Sequence, residues 1–220
     1  MLTTLLIHEF KINFRTKEAL FSMLSFGIVL MVSFVLSFQI SENKILFFLP
    51  GFFWITVLFV SVLGINRMFS HELSFCAISL LTSGPVNRGL IFFSKTIIGT
   101  VYLVVVEIAL LGCIWFFFHI SFFNQVYLFF GLLLIGNFSI MVTSVFISGL
   151  TLSSKMSNVL VPLLVFPLLS PVIISLTKST LGILQNSPFS EIQVWVLLVL
   201  TYFVLFTLLG YGLFDYLTEE

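Results

Sequence analysis

The stretch Val126–Leu150, VYLFFGLLLIGNFSIMVTSVFISGL, contains no charged residue. It is long enough to cross the ~30 Å hydrocarbon layer of a bilayer as a helix, which takes about 20 apolar residues. Five further apolar runs lie at about residues 20–40, 47–65, 97–118, 159–177 and 192–214. Lipid offers the backbone no hydrogen-bond partners, so these runs form helices; barrel strands would be about half as long and would alternate. The sequence therefore predicts an all-α polytopic membrane protein of six transmembrane helices, with residues 1–220 as one domain.

Composition agrees with a membrane protein and limits its chemistry. Sixty per cent of the residues are hydrophobic and 8% are charged, whereas soluble domains carry about 25% charged residues. The formal net charge is zero, which argues against a nucleic-acid partner. The two cysteines, Cys76 and Cys113, do not form a CxxC metal or redox motif.

The basic residues predict the orientation in the membrane. Seven of them fall on one side of a six-span arrangement and two on the other; the seven are Lys11, Arg15, Lys17, Arg67, Arg88, Lys95 and Lys155, and the two are Lys44 and Lys178. Because cytoplasmic loops carry the excess of Lys and Arg, we predict that both termini are cytoplasmic.

Residues 1–18 have the pattern of an amphipathic helix. Leu2, Leu6, Phe10 and Phe14 recur every four positions, and charged and polar residues fill the opposite face. Such a segment lies flat on a membrane surface. It is either a topology anchor or an interfacial element with a docking role.

Residues 66–90, here called the coupling segment, interrupt the apolar pattern between the second and third runs. Ser70 is a candidate helix cap, Glu72 suits a first turn, and Leu73, Leu80 and Leu81 repeat at helical spacing. Gly84 and Pro85 then end the predicted helix. An apolar stripe on a cytoplasmic helix indicates contact with a protein partner or with the membrane surface.

The coupling segment does not contain an ATPase site. Gly84 and Gly89 have the spacing of a phosphate-binding loop, but Leu90 and Ile91 stand where Lys and Ser or Thr are required. We therefore expect ATP hydrolysis, if it drives this protein, to occur in a separate subunit.

Several motifs in order resemble one family. The chain resembles the type-2 ABC export permeases in three features. These are the predicted amphipathic N-terminal helix, the six spans, and the motif LLTSGPVNR (residues 80–88) followed by Lys95. LPGFFW (49–54), LGINRMF (63–69), VVVE (104–107) and the proline-rich residues 161–171 further resemble CcmB, the haem exporter protein B family. The resemblance covers essentially the whole chain.

The resemblance implies a permease subunit of the ABC complex for cytochrome c maturation, which is linked to haem delivery to a periplasmic chaperone. It implies an ABC ATPase partner, other cytochrome c maturation membrane subunits and a second copy of this chain, since six spans are half of an ABC membrane core. It also implies a bacterial inner membrane location, with the mitochondrial inner membrane as the alternative. The coupling residues would be Arg67, Glu72, Leu73, Leu80, Leu81, Pro85 and Arg88. Two other functions stay open: export of a different substrate, and a non-transporting scaffold that recruits an ATPase.

Glu107 is a carboxyl group near the middle of the third predicted span. An ionised carboxylate there costs at least ~2.5 kcal/mol and requires a partner or a wet cavity. Candidate partners are Asn137, Ser144 and Ser148 on one face of the fourth span, and a serine stripe on the first: Ser22, Ser25, Ser33 and Ser37. These groups either hold helices together or line a pathway or subunit contact.

Pro167 and Pro171 in the fifth span each remove one intrahelical hydrogen bond, at the carbonyls of Leu163 and Pro167. Their spacing of four predicts a bend to one side, which is either a static packing feature or a hinge.

No residue set indicates an enzyme or a directly bound cofactor. His8, His71 and His119 are the histidines available to ligate haem, and all three lie outside the predicted span interiors. His71–Glu72 lacks the second histidine of a zinc protease motif. We expect no catalytic, cofactor-binding or metal residues, with ATP bound by a partner subunit and haem by partners in the complex.

Overall fold

The computed structural model describes the backbone of residues 17–37, 42–74, 88–118, 126–151, 154 and 156–217. It describes side chains over the same ranges except at 42–46, 70–74, 88 and 213–217. The described helices are α1 (Glu18–Ser37), α2 (Glu42–Ser74), α3 (Arg88–Phe118), α4 (Val126–Leu150), α5 (Ser157–Leu184) and α6 (Phe189–Leu217). Each contains a stretch long and apolar enough to span a membrane. The predicted all-helical fold with six spans is confirmed.

The helix boundaries differ most from the prediction around the second and third spans. α2 has 33 residues and continues beyond its apolar stretch Phe47–Phe69 at both ends. α3 begins at Arg88 rather than near residue 97. The difference arises because a helix continues into the interface until the sequence stops it, whereas hydropathy marks only the part inside the lipid. Residues 1–16 lie outside the described residues, and the amphipathic N-terminal helix stays a prediction.

α4 is the centre of the bundle and contacts α2, α3, α5 and α6. Every residue from Ser139 to Gly149 is buried. α1 packs mainly on α2 and α3 at the periphery, and its most apolar stretch is 28% buried, compared with 72% for α4. The exposed faces of the outer helices consist mainly of large apolar side chains, as contact with lipid requires.

Small residues allow the helices to approach closely. A Cβ at Gly136 of α4 would lie 2.8 Å from Leu176 of α5 and 3.0 Å from Trp54 of α2. Gly210 of α6 is similarly covered by the ring of Phe92 of α3. Because lipid removes most of the hydrophobic driving force between helices, such close packing holds a membrane bundle together.

A buried hydrogen bond also joins α2 to α5. The indole Nε1–H of Trp54 donates to Oγ1 of Thr180 over 2.9 Å, and Thr180 donates in turn to the carbonyl of Leu176 over 2.8 Å. Trp54 is completely buried. α2, which leads into the coupling segment, is therefore held to α5 by both side-chain packing and a specific hydrogen bond.

Candidate functional site

The coupling segment is described at its two ends. α2 runs without interruption through Arg67 to Ser74, so its backbone includes Glu72 and Leu73, and α3 begins at Arg88. The expectation that Ser70 caps a separate helix is wrong, because no proline or glycine breaks the helix between Gly64 and Ser74 and the span simply continues. Leu80, Leu81 and Pro85 lie outside the described residues.

The arginines predicted to flank the coupling helix lie at the ends of the two helices. Arg67 is exposed on α2, two residues before the end of the apolar stretch Phe47–Phe69. Arg88 is the first residue of α3. The backbone thus places both arginine positions beside the apolar spans, where basic side chains meet the headgroup region of a bilayer.

Lys95 differs from its predicted position. The sequence indicated a cytoplasmic residue at the start of a span, whereas the structure places it well inside α3 with 1% of its surface exposed. Its Nζ lies 5.1 Å from the ring centroid of Phe69 on α2, within the range of a cation–π interaction. The signal in the sequence was the spacing of Lys95 from Ile91, Ile98 and Tyr102, which puts all four on one helix face, and that face is buried.

The structure brings Glu107 and Asn137 together. Nδ2 of Asn137 on α4 donates to Oε2 of Glu107 on α3 over 2.6 Å. Asn137 is 0% exposed and Glu107 is 2% exposed, so the pair lies inside the bundle and not on a face available to a neighbouring subunit. Asn137 was one of the predicted partners.

The predicted serine partners do not join this pair. Ser144 donates to the carbonyl of Ile140 on its own helix over 2.8 Å. On α1, Ser25, Ser33 and Ser37 are exposed on the outer surface, and Ser25 donates to the carbonyl of Ser22. The expectation that the α1 stripe faces Glu107 is wrong, since a serine hydroxyl can bond a carbonyl of its own helix and needs no inward position.

Pro167 and Pro171 are exposed on the outer face of α5. The carbonyl of Pro167, which Pro171 leaves without its helical donor, accepts a hydrogen bond of 2.8 Å from the Ser170 hydroxyl. Tyr202 of α6 donates to the carbonyl of Leu168 over 2.7 Å. Sequence reasoning missed both donors: the Ser170 hydroxyl satisfies the carbonyl that Pro171 leaves free, and the Tyr202 hydroxyl joins α6 to this part of α5.

The described residues contain no group of three or more His, Cys, Asp or Glu side chains placed to bind a metal ion. The Cys113 thiol is not part of a disulfide. Cys76, His8 and His119 lie outside the described residues, as does the side chain of His71.

Comparison with protein families identifies the chain. A family model described as CcmB protein matches residues 1–210. A search of curated proteins gives no match. The match covers nearly all of the chain and includes the first five spans, the coupling segment and most of the sixth span. The family is that of haem exporter protein B, a permease-type membrane component of the ABC transporter for cytochrome c maturation. This chain belongs to the CcmB family.

Proposed function

We propose that this protein couples ATP hydrolysis in a separate ATPase subunit to haem delivery toward a periplasmic chaperone. The observation that supports the proposal, within a CcmB family chain, is the unbroken helix α2. At 1.5 Å per residue its 33 residues extend about 50 Å, well beyond the ~30 Å hydrocarbon layer. The proline inside α2, Pro50, lies near the far end of its apolar stretch, so a displacement imposed beyond Ser74 would move the part of α2 from Gly51 to Ser74 without an intervening proline.

The coupling residues follow from this arrangement. Residues 75–87 connect the ends of α2 and α3, and an ATPase that binds them would act on both helices at once. Leu73, Leu80 and Leu81 would supply the apolar contact, with Glu72 and Pro85 shaping the segment. Arg67 and Arg88 would hold its two ends at the anionic membrane surface or pair with acidic groups of the partner.

The other parts of the proposal concern assembly and location. ATP would bind to the partner subunit and haem to other components of the complex. A second copy of this chain would complete a membrane core of twelve spans, together with other cytochrome c maturation membrane subunits. The excess of basic residues on one side supports cytoplasmic termini in a bacterial inner membrane.

The test is copurification with the ATPase subunit, together with the ATPase rate of the complex. The variant is the double substitution Leu73→Asp, Leu80→Asp, which places two charges on the proposed contact. We expect that the ATPase subunit no longer copurifies with the double variant and that the variant no longer raises the ATPase rate. Met156→Asp is the matched control, because Met156 is 62% exposed in the connection between α4 and α5 on the same predicted side of the membrane.

Both variants must insert and remain folded, which gel filtration in detergent and circular dichroism would show. Unchanged partner binding and ATPase rate in the double variant would refute the coupling role. Retained binding with loss of haem delivery in a reconstituted complex would support the permease role over a scaffold. Delivery of haem at the normal rate by complexes that lack this chain would refute the proposed function.

A further inference from the structure

The Glu107–Asn137 pair leaves two buried oxygen atoms without a hydrogen bond. Asn137 Nδ2 donates to Glu107 Oε2 over 2.6 Å. Glu107 Oε1 and Asn137 Oδ1 are both buried, and neither has a hydrogen-bond partner among the residues that the structure describes. Buried polar atoms are nearly always paired, and an unpaired one in a low-dielectric interior is costly. Two unpaired acceptors at one contact therefore indicate that the contact lacks a donor.

No described side chain in contact with Glu107 supplies that donor or a positive charge. On α3 itself Lys95 is twelve residues away, about 18 Å along the helix axis. Tyr102 and Cys113, the other titratable residues of α3 with described side chains, are not hydrogen-bonded to Glu107. α4 contains no Asp, Glu, Lys, Arg or His. On the other helices that pack against α3, the titratable residues with described side chains are Glu18 on α1, Arg67 on α2, and Glu191, Tyr202 and Tyr211 on α6, and none of these is bonded to Glu107.

A single proton removes the shortage. A protonated carboxyl group has one O–H donor and keeps an acceptor oxygen, while an amide has both an acceptor oxygen and N–H donors. A proton on Oε1 lets Glu107 donate to Asn137 Oδ1 while Oε2 continues to accept from Nδ2. The two groups then form a closed ring with two hydrogen bonds and no net charge. Rotating the amide by half a turn exchanges its oxygen and nitrogen but leaves the same need for one proton.

We propose that the Glu107 carboxyl binds a proton and forms a neutral, doubly hydrogen-bonded pair with the Asn137 amide that fastens α3 to α4. The pair is then a proton-binding site in the centre of the bundle and not an element that attracts a charged cargo. The proposal concerns the folded chain itself and does not depend on the proposed function.

Infrared spectroscopy of the full chain in lipid vesicles tests the proton directly. At neutral pH we expect the carbonyl-stretch band of a protonated carboxylic acid, shifted by isotope-labelled glutamate and absent from Glu107→Gln. In Asn137→Ala the band should move to the position of a less strongly bonded acid. Ser144→Ala is the matched control, because the Ser144 hydroxyl donates to a carbonyl of its own helix. The acid band of this variant should equal that of the wild type.

Unfolding in mixed micelles tests the pairing. Gln at position 107 can both donate to and accept from Asn137, so Glu107→Gln should change the unfolding equilibrium constant by less than about threefold. Glu107→Leu leaves the Asn137 amide buried without a partner and should raise the constant roughly 5- to 150-fold. Absence of the acid band in the wild type would overturn the proposal, as would equal destabilisation by Gln and Leu.

Discussion

The hydrogen bond between Trp54 and Thr180 should make a measurable contribution to the stability of the bundle. We predict that Trp54→Phe and Thr180→Val each destabilise the protein and that their effects are not additive. Each substitution removes one partner of a bond that joins α2 to α5 at 2.9 Å, with both residues almost completely buried. Phenylalanine keeps an aromatic ring against Phe53, and valine keeps the shape of threonine.

The magnitude follows from the membrane environment. Hydrogen bonds between transmembrane helices contribute about 0.6 kcal/mol on average and up to about 1.7 kcal/mol. We expect a coupling free energy in that range, which corresponds to roughly a 3- to 20-fold change in the unfolding equilibrium constant. Trp54→Phe also loses packing volume beside Gly136, but this loss is present in both arms of a double-mutant cycle and cancels.

The assay is equilibrium unfolding in mixed detergent micelles, followed by far-ultraviolet circular dichroism for the wild type, both single variants and the double variant. Trp115→Phe is the matched control, since Trp115 is 60% exposed on the outer face of α3, and combining it with Thr180→Val should give additive effects. Additivity within about 0.3–0.5 kcal/mol for the Trp54 cycle itself would refute the inferred contribution of the bond.

Three further predictions concern other helix contacts. Phe69→Leu should lower the free energy of unfolding by about 0.5–2 kcal/mol through loss of the cation–π contact with Lys95, whereas Phe69→Tyr should retain most of it, as measured in the same micelles. Gly136→Val should destabilise the protein by about 1–3 kcal/mol or more, because its side chain would overlap Leu176 and Trp54. Alanine at both Pro167 and Pro171 should lower ATP-driven turnover if α5 bends during the transport cycle, and unchanged turnover would contradict the hinge.

The number and type of helices could be predicted from the sequence, because lipid imposes a length and an internal hydrogen-bonding requirement on every span. The prediction for α4 agrees at both ends with Val126–Leu150. The ends of α2 and α3 could not be predicted equally well. Their helices continue into the interface, where hydropathy falls but no residue stops the backbone before Ser74.

The polar contacts inside the bundle could be predicted from the sequence only as a set of candidates. Asn137 was one of seven candidate partners of Glu107, named together with two serines on its own face of the fourth span and four serines on the first span, and the structure shows it bonded to Glu107. The serines of α1 looked equally suitable in the sequence, yet they face outward. A hydroxyl can donate to a carbonyl on the preceding turn of its own helix, whereas the acceptor oxygens of a carboxyl or an amide find no free backbone N–H in a helix interior, so helical spacing locates buried partners mainly for these larger polar groups.

Lys95 shows a related limit of charge counting. The rule that basic residues mark the cytoplasmic side treats each charge as solvated, and Arg67 is exposed as that rule assumes. Lys95 instead lies buried against the ring of Phe69, and its neighbours Ser94 and Thr96 are buried as well. A buried cation that bridges α2 and α3 gives these helices a shared constraint close to the segment that connects them. α2 and α3, the two helices on which the ATPase is proposed to act, are thus held together near the coupling segment. We therefore expect α2 and α3 to move as one unit.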